Sequence, residues 1–210
     1  MTYNDADGIM QFIVLLFRIL DKLKGVLDLE KTFAMIKPDG VKRGLIGEIV
    51  SRFENSGLKI EALKMINAKP ETVANLYPNK EEWLRSVGGK MSNTYKKYDK
   101  DIVKDMGTDD TLELGKMVRQ WLVDYMTMGP AIIMILSGNH AAEVVRKLIG
   151  DTNPVFAIPG SIRGDFSIDS ADYANSAHRA IYNIVHASGN SEEAIEEIEL
   201  WFGGDNVSDS

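Results

Sequence analysis

The run Ala131-Ile132-Ile133-Met134-Ile135-Leu136 holds apolar residues without a polar break, directly after the turn dipeptide Gly129-Pro130. A strand with one face in water alternates, so an unbroken run of this length predicts a central β-strand covered on both faces. The rest of the chain has to be organised around it.

Thr32 to Ile36 reads as a first strand, ended by the turn residues of Lys37-Pro38-Asp39-Gly40. From Leu45 the apolar positions Leu45, Ile46, Ile49, Val50 and Phe53 recur at helical spacing, with Gly57 as a C-terminal stop. Leu58, Ile60 and Ala62 alternate as a second strand, and the change of phase at Leu63 and Met65 predicts a bulge. Residues 70 to 128 read as helical, with a stripe of Leu112, Met117, Trp121, Leu122 and Tyr125. Within them, residues 88 to 110 are charged and poor in large apolar side chains, which predicts a surface insertion. Asn139 can cap a helix that turns Val144, Val145, Leu148 and Ile149 to the core. A long loop from Gly150 to about Ser176 comes next. Ile181 to Ser188 then reads as a short strand presenting His186, and an acidic helix runs from Asn190 to Phe202. This order predicts an α+β fold of the ferredoxin-like βαββαβ kind, a four-stranded antiparallel sheet with the strands from Thr32 and Ala131 at its centre. Such a fold assigns no chemistry by itself.

The 210 residues suffice for one domain with extensions. A net charge of -7 lacks the basic face that general nucleic-acid binding needs, so no nucleic-acid partner is expected. The absence of cysteine excludes disulfides and thiolate metal sites and fits a cytoplasmic protein. In residues 1 to 30, the apolar stretch Ile9 to Leu20 is broken by Gln11 and Arg18 and falls short of the about 20 apolar residues of a membrane span. Asp5 and Asp7 precede it, unlike the basic start of a signal peptide. It reads as an amphipathic helical extension packed on the protein or on a neighbouring subunit, with membrane-surface attachment as the alternative and no stable membrane insertion.

Phosphoryl transfer asks for positioning and for neutralisation of charge. A neutral imidazole such as that of His186 can relay a phosphoryl group, because an ordinary pKa of about 6.5 leaves it largely unprotonated at neutral pH. Arg163, in a glycine-flanked turn, and Arg146, on the preceding helix, can offer planar forks to phosphate oxygens. Lys37 can act as a point charge, and Thr152 adds a hydroxyl. Asn183 lies three residues before His186, on the opposite face of a regular strand, and reaches the same ligand only if the chain twists or bulges there. Plainer readings exist: Arg146 as a solvated helix arginine, Pro38-Asp39-Gly40 and Arg163-Gly164-Asp165-Phe166 as ordinary turns. His140 and His178 read as surface or capping residues.

Together, Lys37-Pro38-Asp39-Gly40-Val41, Gly150-Asp151-Thr152-Asn153-Pro154, Pro159-Gly160-Ser161-Ile162-Arg163-Gly164-Asp165-Phe166 and the stretch carrying His186 resemble the nucleoside diphosphate kinase family, in its long archaeal form. The similarity begins near Lys31, within a domain of residues 31 to 203 that carries insertions at about 79 to 115 and 167 to 179 and is followed by a tail of residues 204 to 210. The resemblance implies that His186 is the phosphorylated nucleophile, that Glu197 orients its imidazole, and that Ser188 is a nearby hydroxyl partner. It implies phosphate and sugar contacts from Lys37, Tyr77, Arg146, Thr152, Arg163 and Asn183. The implied reaction moves the terminal phosphate of a nucleoside triphosphate, typically ATP, to a nucleoside diphosphate by a ping-pong mechanism. Mg2+ would be held mainly by the nucleotide phosphates, with no protein ligand. The implied assembly is a homo-oligomer, hexamer or tetramer.

The chain departs from the family pattern at Gly189, where an Asp is usual, at Tyr182, where an Arg is common, and at Val118, which aligns near the base-stacking phenylalanine. These departures predict weaker base stacking before any loss of phosphoryl transfer. Two other classes stand beside this reading: a catalytically silent nucleotide-binding or interaction module, and a ferredoxin-like nucleic-acid binder. The acidic charge and the lack of an aromatic RNA-stacking strand speak against the second.

Overall fold

The computed structural model describes residues 29–203 and the backbone of residues 207–209. Apart from Leu29 and Glu30, the helical extension expected over residues 1 to 30 lies outside the described residues. The apolar run forms β3 (Ala131–Gly138), and β1 (Glu30–Ile36) pairs antiparallel along its whole length, Glu30 opposite Gly138 and Ile36 opposite Ile132. On the far side of β3 lies β2 (Lys59–Ala68), and β4 (Val185–Ala187) lies beyond β1. This is the expected four-stranded antiparallel sheet, with β1 and β3 central. The C-terminal residues expected as a tail add a short fifth strand, β5 (Val207–Asp209), on the edge of β2, giving the order β4-β1-β3-β2-β5.

Period-two alternation on the central strands divides the core. Ala34 and Ile36 of β1 with Ile132, Met134 and Leu136 of β3 face one layer, where α2 (Ile46–Asn55) and α7 (Ala141–Ile149) pack through Ile49, Phe53, Val145 and Ile149. Phe33, Met35 and Ile133 face the other layer, built from α3 (Pro70–Leu76), α6 (Thr111–Thr127) and α10 (Ser191–Phe202), which contribute Val73, Met126 and Trp201. The bulge on β2 lies between Ile60 and Ala62, upstream of the expected position. Glu61 is the extra residue, and it turns Ile66 and Ala68 to the opposite face from Leu58 and Ile60, leaving Leu63 and Met65 partly exposed.

Three local expectations are corrected. Pro38-Asp39-Gly40 opens a short helix, α1 (Pro38–Lys42), rather than a turn, because a proline at the first helical position already has the required φ and lacks only an N–H that would go unused. His140, at φ +52, takes the cap position of α7 instead of Asn139, and makes no side-chain capping bond. The expected loop from Gly150 to Ser176 contains a 3-10 turn (Pro154–Phe156) and two short helices. These are α8 (Ile162–Phe166) and α9 (Ala171–Ser176), capped by Ser161 and Ser170, whose hydroxyls accept from Gly164 N–H and Tyr173 N–H.

The segment expected as a surface insertion has a core of its own. The helices α4 (Glu81–Lys97) and α5 (Ile102–Met106) enclose Met91, Tyr95 and Met106 against Leu114 of α6. Its few apolar residues recur on one helix face, which an average over a charged stretch hides. Two glycines set the crossing of α4 and α6. A Cβ on Gly88 would lie 1.9 Å from the Thr111 carbonyl oxygen, and one on Gly115 would lie 2.0 Å from that of Leu84.

Candidate active site

The last strand is shorter than its apolar run because the chain twists at Ile184, which holds φ +68. Val185 N–H donates to the Asn183 carbonyl at 2.7 Å, closing a three-residue turn of the strained kind that a β-branched residue rarely adopts. The surroundings hold it there. Lys37 N–H donates to the Ile184 carbonyl at 2.7 Å, and Ile184 N–H donates to Asp39 Oδ2 at 3.2 Å. The Tyr125 hydroxyl donates to Asp39 Oδ1 at 2.6 Å and accepts from Asn183 N–H at 3.2 Å. The Ile184 side chain itself is fully buried. This turn supplies the twist that the strand pattern alone required, and it brings Asn183 and His186 to one cavity. Asp39 and Tyr125, which sequence reasoning assigned to a turn and to a core stripe, are the buried brace behind it. The one local signal for Asp39 was its position after a helix-starting proline.

That cavity, about 210 Å³, is lined by Lys37, Tyr77, Arg146, Thr152, Arg163, Asn183 and His186, which are all the expected phosphate and sugar contacts together with the expected nucleophile. Lys37, buried at the start of α1, donates from Nζ to Asn183 Oδ1 at 2.8 Å. Burial and then the neighbouring Arg163 pull its ammonium down to about 7, with Asp39 opposing. Asn183 Nδ2 donates in turn to the Thr152 carbonyl at 2.9 Å. The buried Arg163 clamps the backbone: it donates to the carbonyls of Asn183, Gly150 and Val185 at 3.1, 2.9 and 2.6 Å. Burial lowers it to about 10, which still leaves it cationic at neutral pH. Arg146 stands exposed at the rim, without an ion pair among the described residues. Burial, and then the charge of Glu197, hold the Tyr77 phenol well above its usual range, so it remains a hydrogen-bond donor.

Behind the cavity, His186 Nε2 lies 2.6 Å from Glu197 Oε1, and the Ser188 hydroxyl donates to Glu197 Oε2 at 2.5 Å. A carboxylate only accepts, so Nε2 carries the proton and Nδ1 keeps its lone pair. Ser188 and Glu197 are almost fully buried, which fixes the ring from its rear.

The three departures also have partners. Gly189 N–H donates to Glu193 Oε2 at 2.7 Å, so a carboxylate four residues further on occupies the space beside it. The Tyr182 ring stacks on Tyr125 at 4.9 Å and carries the Arg179 guanidinium over its face at 4.2 Å. Val118 lines an adjoining apolar slot together with Trp121. His178 lies against Trp121, away from the cavity, and His140 is at the opposite end of β3, as their reading as surface or capping residues requires.

No carboxylate lines the cavity among the described residues, and Lys37, Arg146 and Arg163 give it a cationic wall. It is suited to an anion, or to a metal ion carried in on that anion, and unsuited to a bare cation. A cationic cavity centred on a carboxylate-held histidine, on a ferredoxin-like sheet, defines the class of histidine-centred nucleotide phosphotransfer domains. The family model described as Nucleoside diphosphate kinase matches residues 30–85 and 112–207. The chain belongs to the nucleoside diphosphate kinase family, and its activity is the transfer of phosphate between nucleotides. The nucleoside diphosphate kinase of Pyrobaculum aerophilum is 51% identical over 181 residues, covering 86% of this chain and 99% of that one. The solved structure of an NDP kinase from the same organism superposes with a TM-score of 0.80 at 50% identity, over 85% of this chain and 98% of that one. A structure of the Borrelia burgdorferi enzyme, a transition state mimic with bound vanadate and ADP, matches with a TM-score of 0.63 at 37% identity, over 87% and 92% of the two chains. Nothing in these comparisons favours a catalytically silent module.

Proposed function

We propose that His186 carries the phosphoryl group between nucleotides and that the cavity around it binds their phosphates. The observation that carries this reading is the Glu197 contact to Nε2, which leaves Nδ1 as the nucleophilic nitrogen. In the first half-reaction Nδ1 attacks the terminal phosphorus of a nucleoside triphosphate. An N–P bond forms, the bridging P–O bond breaks, and the diphosphate leaves with the electron pair. In the second, a terminal oxygen of another diphosphate attacks the same phosphorus and the N–P bond breaks. Positive charge that builds on the imidazole during the first step is balanced by Glu197, itself held by Ser188. Lys37, Arg146 and Arg163 neutralise the phosphates, Tyr77 and Thr152 offer hydroxyls, and Asn183 holds Lys37 in place.

Mg2+, when bound on the nucleotide, adds charge neutralisation and fixes the shape of the polyphosphate; the cationic lining offers it no protein ligand. The protein is read as a cytoplasmic homo-oligomer, hexamer or tetramer. Exposed apolar side chains at Val155, Phe156, Ile158 and Ile168 support assembly. No helix among the described residues is long and apolar enough to cross a membrane. Light scattering at micromolar concentration would return a monomer if the assembly reading is wrong.

The direct test of the transfer reading is brief incubation with γ-labelled ATP and Mg2+, followed by a chase with mixed nucleoside diphosphates. Acid-labile label on the wild type and none on His186→Ala, discharged by the chase, is the expected result. Equal labelling of both proteins would move the nucleophile elsewhere.

A further inference from the structure

The two segments read as insertions are far apart in sequence and adjacent in space. Lys100, which follows α4, forms an ion pair with Asp172 of α9 and donates to the Ser176 hydroxyl at 3.0 Å. Joined in this way, α4 and α9 roof an apolar slot of about 200 Å³ that opens from the phosphate cavity and shares Lys37, Thr152 and Asn183 with it. Val87 and Met91 from α4 and Val118 and Trp121 from α6 line this slot. The volume and the apolar walls suit a planar heterocycle, and Trp121, three residues after Val118 on the same helix face, adds aromatic surface.

One polar group in the slot is out of character. Asn175 of α9 lines it, is only 8% exposed, and makes no side-chain hydrogen bond among the described residues. Its carboxamide is not sealed from solvent, so water satisfies it there, and the edge of a ligand seated in the slot would take that water's place. The phosphates are drawn to His186 by Arg146 and Arg163, so the part of a nucleotide that reaches the slot is its nucleoside end.

We infer that the two inserted segments roof a nucleobase slot in which the Asn175 carboxamide hydrogen-bonds the edge of the base, so that this chain distinguishes nucleosides by more than their phosphates. The inference rests on the kinase reading above. With one acceptor and two donors, the carboxamide matches edges that place a donor beside an acceptor. Asn175 is a specificity residue and takes no part in bond making.

The test uses the full chain phosphorylated on His186 by phosphoramidate, a small donor with no base, and then discharged by ADP, GDP, CDP or UDP. In wild type the four second-order discharge constants should differ. Asn175→Ala should lower at least one of them about three- to tenfold, the effect of one lost hydrogen bond, and narrow their spread. Phosphorylation by phosphoramidate should be unchanged. Asn175→Asp, which keeps the shape and loses the donors, should reorder the four constants, and it provides the test if the alanine variant does not fold. Unchanged discharge in both variants would overturn the inference. So would a parallel loss of phosphoramidate labelling, which would make Asn175 a structural residue. Wild type that takes no label would instead bring down the kinase reading itself, and the slot assignment with it.

Discussion

Glu197 Oε1 sits 2.6 Å from His186 Nε2, and its other oxygen accepts from the Ser188 hydroxyl at 2.5 Å. Both carboxylate oxygens are therefore committed, and the imidazole has one tautomer and one orientation. Glu197→Gln should keep the fold but remove the charge that balances the phosphorylated ring. Its single-turnover labelling rate should fall about 10- to 100-fold, a range set by the loss of a charge-assisted contact at the reacting group, while ATP binding changes little. Stopped-quench labelling beside equilibrium binding separates the two quantities; a matched loss in both would place Glu197 in binding.

The Tyr125 hydroxyl reaches the site through Asp39 and Asn183, and its ring lies 5.1 Å from the Lys37 ammonium. Tyr125→Phe strips one donor from the buried Asp39 carboxylate and leaves the Asn183 N–H without its acceptor. Destabilisation of about 1–3 kcal/mol is expected, with a loss of transfer rate as the turn at Ile184 loosens. Denaturant unfolding followed by transfer kinetics checks both, and an unperturbed protein would show that the turn at Ile184 does not depend on the Tyr125 hydroxyl.

Lys37 sets a pH signature. Its folded pKa of about 7 lies below the ordinary 10.5, so between those values the unfolded chain binds more protons than the native one. Stability from this group therefore rises with pH across that window and is at its lowest below pH 7. Lys37→Met should flatten the corresponding part of the pH profile in thermal unfolding. Because bound polyphosphate favours the ammonium, ADP binding near pH 8 should take up protons, seen as a dependence of the binding enthalpy on buffer ionisation. The same enthalpy in every buffer would place the lysine pKa well away from 7.

At the crossing of α4 and α6 there is no room for a side chain on either glycine. Gly88→Ala would set a methyl against the Thr111 carbonyl and force the helices apart, at a cost of about 2 kcal/mol or more. Phosphoramidate labelling of His186 should survive in this variant while nucleotide discharge weakens, since α4 lines the slot and not the phosphate cavity. A melting temperature equal to wild type would contradict the packing of this segment.

The periodic elements were legible in the sequence because they answer to local rules. The apolar run of β3, the alternation of Leu58, Ile60 and Ala62 at the start of β2 and the 3.6-residue spacing of α2 and α7 each record which faces are covered, and they led to the ferredoxin-like order. The residues that line the cavity were legible as motifs around Lys37, Thr152 and Arg163. The helices within residues 150 to 176 were missed because each is a single capped turn or little more, too short to express a period. The packing role of α4 was missed because glycine contacts between helices leave no hydrophobic signal.

By itself the sequence determined the strand order, the residue types available to a phosphate and the family to which they correspond. Only the tertiary structure decided that Asn183 and His186 face the same cavity, because that requires a left-handed residue at Ile184 whose cost is offset by Asp39, Tyr125 and Lys37, contacts made across 58 to 147 residues of chain. Only the fold, likewise, brings Lys100 to Asp172 and roofs the slot that Asn175 lines. A pattern read along one element cannot register bonds between elements, and here those bonds hold the histidine in position and roof the slot beside it.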